Sequence, residues 1–298
     1  MFLNYFSQCI EQATGTKSVR TIETYHYARN RLEDYLHKGD IPIENVTEEF
    51  VGRYVRHLKD CGLTLNTISF HMRILRHIYN QAVKHGLTYD RKPFKQAYTK
   101  TVKTVKRAVT IDTIKAVKHY DTDNRNVCFA RDMFLFSFYT HGMSFVDMSY
   151  LTEKNIQDGI LTYQRHKTGQ IIRLKWEPSM QEIVDKYHVN GQPYLLPIIH
   201  TQNGKERNQY RGKQYHINLG LRDISQAINA ERMLTMYVAR HSWASIAETF
   251  GLPVNLISVG LGHTSVKTTQ VYLKLLRMNM IDQTNAKIIS QVGKEGNV

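Results

Sequence analysis

The chain has 298 residues, 42% of them apolar, enough to fill two ordinary cores, so two domains are expected. Its 40 Lys and Arg against 26 Asp and Glu give a formal net charge of +14, with a pI near 9.6. That charge points to a polyanionic partner, the plainer reading being a basic ribosomal or membrane-surface protein. No apolar run approaches the ~18–20 residues of a membrane span, and no signal peptide is expected. Cys9, Cys61 and Cys128 are odd in number and lack metal-ligand spacing, which argues against a disulfide scaffold or zinc module and for reduced thiols in a cytoplasmic protein. Residues 1–107 hold 18 basic against 10 acidic residues and the remainder 22 against 16, so both halves are basic, as suits two modules closing around a duplex.

Residues 18–37 place Ile22, Tyr25, Ala28, Leu32, Tyr35 and Leu36 on one side at helical spacing, predicting an amphipathic helix. Thr47 opens a second helix that ends near Cys61 and Gly62, and Thr64 opens a third that runs to Gly86. The third helix has an apolar face of Ile68, Met72, Leu75, Tyr79, Ala82 and Val83. Its opposite face, Asn66, Ser69, Arg73, Arg76, Asn80 and Lys84, carries cations and amides with no acid. One reading is a solvated surface. The other is a helix laid along a DNA groove, where Arg and Lys meet phosphates and Asn and Arg reach base edges. Residues 88–107 form a basic linker with Arg91, Lys92, Lys95, Lys100, Lys103, Lys106 and Arg107 against Asp90 alone, and Pro93 favours an extended path. It reads as a hinge, as a strap crossing phosphates, or as both.

Thr110 caps a helix at the start of the second domain, and residues 124–140 read as an apolar helix central to its core. That helix runs into THGMSFVDMSYL, residues 140–151. Residues 160–165 and 171–176 flank a turn at Gly169 and predict a β-hairpin. If its first strand continues through Lys167, alternation sets Arg165 and Lys167 on one face and His166 on the other. Residues 190–215 are polar and read as a loop, followed by a helix over 216–229. Thr235 caps and Gly251 ends a helix over MYVARHSWASIAETFG, with Tyr237 and Arg240 sharing a face and Val238, Trp243, Ile246 and Ala247 buried. Gly262 ends another helical segment, His263 stands in the corner, and Ser265 or Thr264 caps a helix that carries Tyr272 about two turns on. Tyrosine is a legitimate covalent nucleophile, but with a pKa of about 10 it needs cationic help at neutral pH. Beyond it, Met278, Ile281, Ile288 and Ile289 form a loose apolar series in a polar tail.

ARHSWA, residues 239–244, and LGHTSVKTTQVY, residues 261–272, together resemble the second-arginine box and the histidine and nucleophile box of the tyrosine recombinases, or phage-type integrases. The resemblance covers most of the chain. It implies a mainly α fold with a small β-sheet (α+β): a helical, SAM-like core-binding domain over 1–87, the basic linker over 88–107, and an integrase-type catalytic domain over 108–298 that includes the tail. It implies that Tyr272 attacks a scissile phosphodiester, giving a 3′-phosphotyrosine and a free 5′-hydroxyl. Arg240 would neutralise the phosphate, His263 would bond a non-bridging oxygen, and Lys167 would protonate the leaving oxygen. Asp147 would support the site, and no ATP, metal or other cofactor is needed. The implied partner is double-stranded DNA at a specific site, bound by a homotetramer on paired sites with accessory DNA-bending proteins, in the bacterial cytoplasm at the nucleoid.

Two positions depart from the family pattern. Gly142 and Asp147 match a Gly-x-Arg with a carboxylate three residues later, but Ser144 stands where the arginine belongs. Losing that group should cost several kcal/mol of transition-state stabilisation. A similar departure marks a branch of integrases and invertases from mobile elements of gut anaerobes. Arg165 either supplies the missing guanidinium or is a plain DNA-backbone contact, and His141 is a second candidate. Tyr237 stands where the family has a histidine; it can donate a hydrogen bond but is no ready base at neutral pH, which leaves the proton acceptor for Tyr272 open. A type IB topoisomerase and a non-catalytic DNA-binding relic are the competing classes. Intact Lys167, Arg240, His263 and Tyr272 argue against decay.

Overall fold

The computed structural model describes residues 1–100, 102 and 108–273, the side chains of 268 and 271–273 excepted. The chain divides into two compact units, Met1–Thr104 and Val105–Val298.

The first unit packs four helices: α1 (Phe2–Ala13), α2 (Val19–Tyr35), α3 (Glu48–Asp60) and α4 (Leu65–Lys84). Ser18, Thr47 and Thr64 each accept a bond from a first-turn amide, the cap that fixes where each of the last three begins. Helix α1 has no cap of its own. The Asp40 carboxylate reaches it from 36–37 residues away, accepting from Leu3 N at 2.7 Å and Asn4 N at 3.0 Å, an acidic group where the helix dipole favours one. Phe2, Leu3, Phe6 and Ile10 of α1 join Leu32, Leu58, Ile68, Met72 and Ile78 in the core. The region read as linker differs from expectation at its start. Phe94 is buried in this same core, and the Tyr79 hydroxyl donates to Tyr89 O at 3.0 Å.

The second unit is built around α6 (Arg125–Tyr139), which buries Val127, Ala130, Met133, Phe134 and Phe136. Helix α5 (Ile111–His119), capped by Thr110, α8 (Pro178–Tyr187), α9 (Glu206–Ala227) and α10 (Met236–Thr249) pack against it or its neighbours. After α6 come the short α7 (Phe145–Ser149) and an antiparallel sheet ordered β1 (Ile156–Gln157), β2 (Ile160–Gln164), β3 (Ile171–Lys175). Leu161 pairs with Leu174 and Tyr163 with Ile172, so one sheet face is apolar and enters the core. The polar loop expected over 190–215 is overturned twice. Leu195, Leu196, Ile198 and Ile199 are buried, and α9 starts at Glu206 rather than 216. Helices α11 (Val254–Gly260) and α12 (Val266–Leu273) close the described chain. Among the described residues, no helix is long and apolar enough to cross a membrane.

Candidate active site

Helix α10 sets the first cation. Thr235 stands at its N-cap position, but its hydroxyl makes no cap bond; Asn218 Oδ1 accepts from Met236 N instead, at 3.0 Å. Arg240 lies on the buried face, 4% exposed. Its Nη1 donates to Gly142 O at 2.7 Å, and its Nη2 donates to Leu261 O and approaches His263 Nε2 at 3.1 Å. Gly142, at φ +71°, is what allows this approach, because a Cβ there would stand 2.7 Å from Arg240 Cα. Tyr237, three residues earlier, does not follow Arg240 inward. It is 49% exposed, with its ring 4.4 Å from that of His241, whereas Arg240 is buried.

The turn after α11 sets the histidine. Gly262, at φ +60°, reverses the chain, and His263 N bonds back to Ser258 O at 3.0 Å. His263 Nδ1 lies 2.8 Å from the hydroxyl of Thr269, which is fully buried on α12. A guanidinium has no acceptor, so Arg240 donates to Nε2; the neutral ring therefore carries its proton on Nδ1 and donates to Thr269 Oγ1. Burial, then the charges of Arg240, Arg165 and Lys167, push the His263 pKa down from 6.5 to about 4, so the ring is neutral at pH 7.

The hairpin brings the second guanidinium. Arg165 follows β2 and is 7% exposed, and its Nη1 donates to Gly262 O. Arg165 and Arg240 thus bond adjacent carbonyls of one turn, those of Gly262 and Leu261. Lys167 is not on a strand. It sits exposed in the turn of residues 166–168, closed by Gly169 N to Arg165 O at 2.8 Å, so strand alternation is not what aligns it with Arg165. Its charge nevertheless reaches His263. His141, the second candidate, has its ring stacked on Trp243 with centroids 4.8 Å apart.

Ser144 caps α7 and donates from Oγ to Asp147 Oδ2 at 2.5 Å. Asp147, 2% exposed, also accepts from His166 N at 2.9 Å and His166 Nδ1 at 3.1 Å. Burial raises its pKa, but the bonds from His166 and Ser144 outweigh that and hold it below the usual carboxylate value. Tyr272 lies in the last turn of α12, three residues past Thr269; its side chain is outside the described residues. The apolar series of the tail, from Met278 to Ile289, also lies outside them. Sequence reasoning missed Thr269 and the His166–Asp147 pair. The TT of the nucleophile box was a visible signal for the first, and nothing in the spacing signalled the second.

On the first unit, Arg73, Arg76, Asn80 and Lys84 are exposed along α4. Two members of that face differ from expectation. Ser69 is buried, and the Asn66 amide is taken by Val102, with Nδ2 donating to its O at 3.0 Å and Oδ1 accepting from its N at 2.7 Å. Lys103 and Lys106 lie outside the described residues.

Residues 1–104 match the phage integrase SAM-like domain. Tyrosine recombinase XerD of Halalkalibacterium halodurans is 20% identical over 247 residues, covering 80% of each chain. The fold matches a lambda integrase dimer bound to a COC' core site, with a TM-score of 0.71 and 16% identity over 90% of this chain and 94% of that one. It also matches the Tn1549 transposon integrase in complex with a circular intermediate DNA, with a TM-score of 0.68 and 14% identity over 95% and 99%. A lambda integrase tetramer bound to a Holliday junction gives 0.69, with 16% identity over 92% and 77%. In its N-terminal domain match, in the relative that spans both units and in its fold, this chain is similar to the tyrosine recombinases.

Proposed function

We infer that this protein is a site-specific DNA recombinase that cuts and rejoins strands through a 3′-phosphotyrosine on Tyr272. The observation that carries this reading is the meeting of Arg165, Arg240 and His263 at one turn, residues 261–263, immediately before the helix that bears Tyr272. Two guanidiniums there suit a pentacoordinate phosphate, and Arg165 takes the part left open by Ser144. The phenol releases its proton to solvent as its oxygen bonds phosphorus, the bond to the 5′-oxygen breaks, and Lys167 gives that oxygen its proton. Attack by the 5′-hydroxyl of a second strand reverses the step and exchanges strands.

His263 takes a more conditional part. In the DNA-free tautomer its Nε2 is an acceptor, so bonding a phosphate oxygen requires the proton to move from Nδ1 to Nε2. The Thr269 hydroxyl can serve either tautomer, as acceptor or as donor. The α4 cations Arg73, Arg76 and Lys84, with Asn80, contact DNA in this reading, and Lys103 and Lys106 extend that contact. The working assembly is a homotetramer on paired sites, served by DNA-bending partners at the nucleoid; the lambda integrase tetramer on a Holliday junction supports the stoichiometry.

The test is a nicked duplex, selected from a randomised pool by adduct formation, followed by peptide mapping. The adduct is expected on Tyr272 and is expected to vanish in Tyr272→Phe. An adduct on another residue, or none from any pool, would overturn the reading.

A further inference from the structure

The buried Asp147 carboxylate and His166 form a contact that recombination chemistry does not itself require. Three donors converge on that carboxylate, the Ser144 hydroxyl on Oδ2 and the His166 N–H and ring Nδ1 on Oδ1. A carboxylate this buried is costly to leave unpaired, so the contacts hold each other in place. His166 lies directly between Arg165 and Lys167. Its ring is also packed against Tyr150, with centroids 4.6 Å apart. The carboxylate grips both the backbone and the side chain of His166, the first residue of the turn, and the Tyr150 ring limits how that side chain can swing.

We propose that His166 is a positioning residue, clamped by Asp147 and Ser144, that fixes the turn carrying Lys167 so that the ammonium meets the leaving 5′-oxygen. The serine in place of the arginine is part of the device. Its short hydroxyl occupies Oδ2 only, leaving Oδ1 to the turn. A guanidinium at position 144 would offer a forked pair of donors to the same carboxylate and compete for Oδ1. The substitution that removes one cation therefore also gives the hairpin a fixed anchor. Arg165, on the other side of His166, is held by the opposite turn at Gly262.

The proposal rests on the reading of Lys167 as the acid, and the experiment separates the two. The full chain is compared with His166→Phe, which keeps an aromatic ring but has no Nδ1, with His166→Asn, whose amide can donate from the Nδ1 position, and with Lys167→Ala. Two nicked duplexes are used, one all-oxygen and one with sulfur bridging to the 5′-carbon at the scissile phosphate. A thiolate leaves without a proton, so the sulfur duplex removes the need for the acid. On the oxygen duplex, His166→Phe should slow single-turnover cleavage by about 10- to 100-fold, as loss of an outer orienting contact does. His166→Asn should stay close to the parent. On the sulfur duplex, His166→Phe and Lys167→Ala should both return close to the parental rate. His166→Phe that cleaves the oxygen duplex normally, or that is slowed equally on both duplexes, overturns the positioning role. Lys167→Ala that stays slow on sulfur overturns the acid role of Lys167. The clamp is then judged by hydrogen exchange of amides 165–169 in the DNA-free protein, faster in His166→Phe and parental in His166→Asn if it exists, unchanged in both if it does not.

Discussion

Arg165→Ala is the substitution on which the proposed chemistry turns. The side chain is buried and bonded to Gly262 O, so its loss has two separable effects. Leaving the buried carbonyl without its donor should lower stability by about 1–3 kcal/mol. Removing one preorganised donor from the developing phosphorane charge should lower the cleavage rate by about 10²- to 10³-fold, or about 2.7–4 kcal/mol. Denaturant unfolding measures the first. Single-turnover cleavage of the nicked duplex, at protein concentrations that saturate the DNA, measures the second free of any change in affinity. Arg165→Lys keeps the charge without the planar fork and should fall between parent and alanine. Cleavage by Arg165→Ala at close to the parental rate refutes the replacement of the missing arginine. A loss that appears in DNA affinity and disappears at saturation assigns Arg165 to the backbone contact instead.

Thr269→Val removes the partner of His263 Nδ1 at nearly constant volume and should slow cleavage by about tenfold or more, while Thr269→Ser stays near the parent; equal rates for the two would remove Thr269 from the site. Gly142→Ala meets left-handed strain of about 1–2 kcal/mol and a clash with Arg240 worth about 1–3 kcal/mol more, so its melting temperature and cleavage rate should both drop, and parental values for both would count against the contact. His71, fully buried on α4, has its pKa lowered from 6.5 to about 4, by burial first and then by the charge of Arg31. The unfolded chain binds that proton more readily, so the contribution is complete above pH 6.5 and is lost as pH falls toward 4, by about 1.4 kcal/mol at pH 5.5. Hydrogen exchange of α4 amides at pH 7.5 and 5.5, corrected for intrinsic rates, should show that loss in the parent and a smaller one in His71→Leu; identical losses would contradict it.

What could be read from sequence followed signals that were local. Ser18, Thr47, Thr64 and Thr110 each marked a helix start because each cap bond spans three residues. The α1 start was hidden because its cap comes from Asp40, which no local window contains. The first half of α9 read as loop because it is polar and lacks an apolar stripe, although Tyr210 packs against the core. Arg240, His263 and Arg165 were legible as a group, but the reason given for Arg165 was not the operative one. It is set by its approach to Gly262, whose carbonyl it bonds, rather than by alternation with Lys167, which lies in a turn. Tyr237 shows the limit of spacing arguments: three residues from Arg240, it is half exposed where Arg240 is buried.

The turn at residues 261–263 has a further consequence for how DNA would be received. Free arginine side chains surrender up to about 2 kcal/mol of rotamer freedom when they are immobilised. Here both guanidiniums are immobilised by folding itself, against carbonyls that lie beside one another. A phosphate arriving at this corner would find its cations already aimed, but would have to share them with the backbone. Because one short turn anchors both, any movement of α12 that disturbs it would disarm the two cations together, coupling readiness for chemistry to the placement of the tyrosine helix.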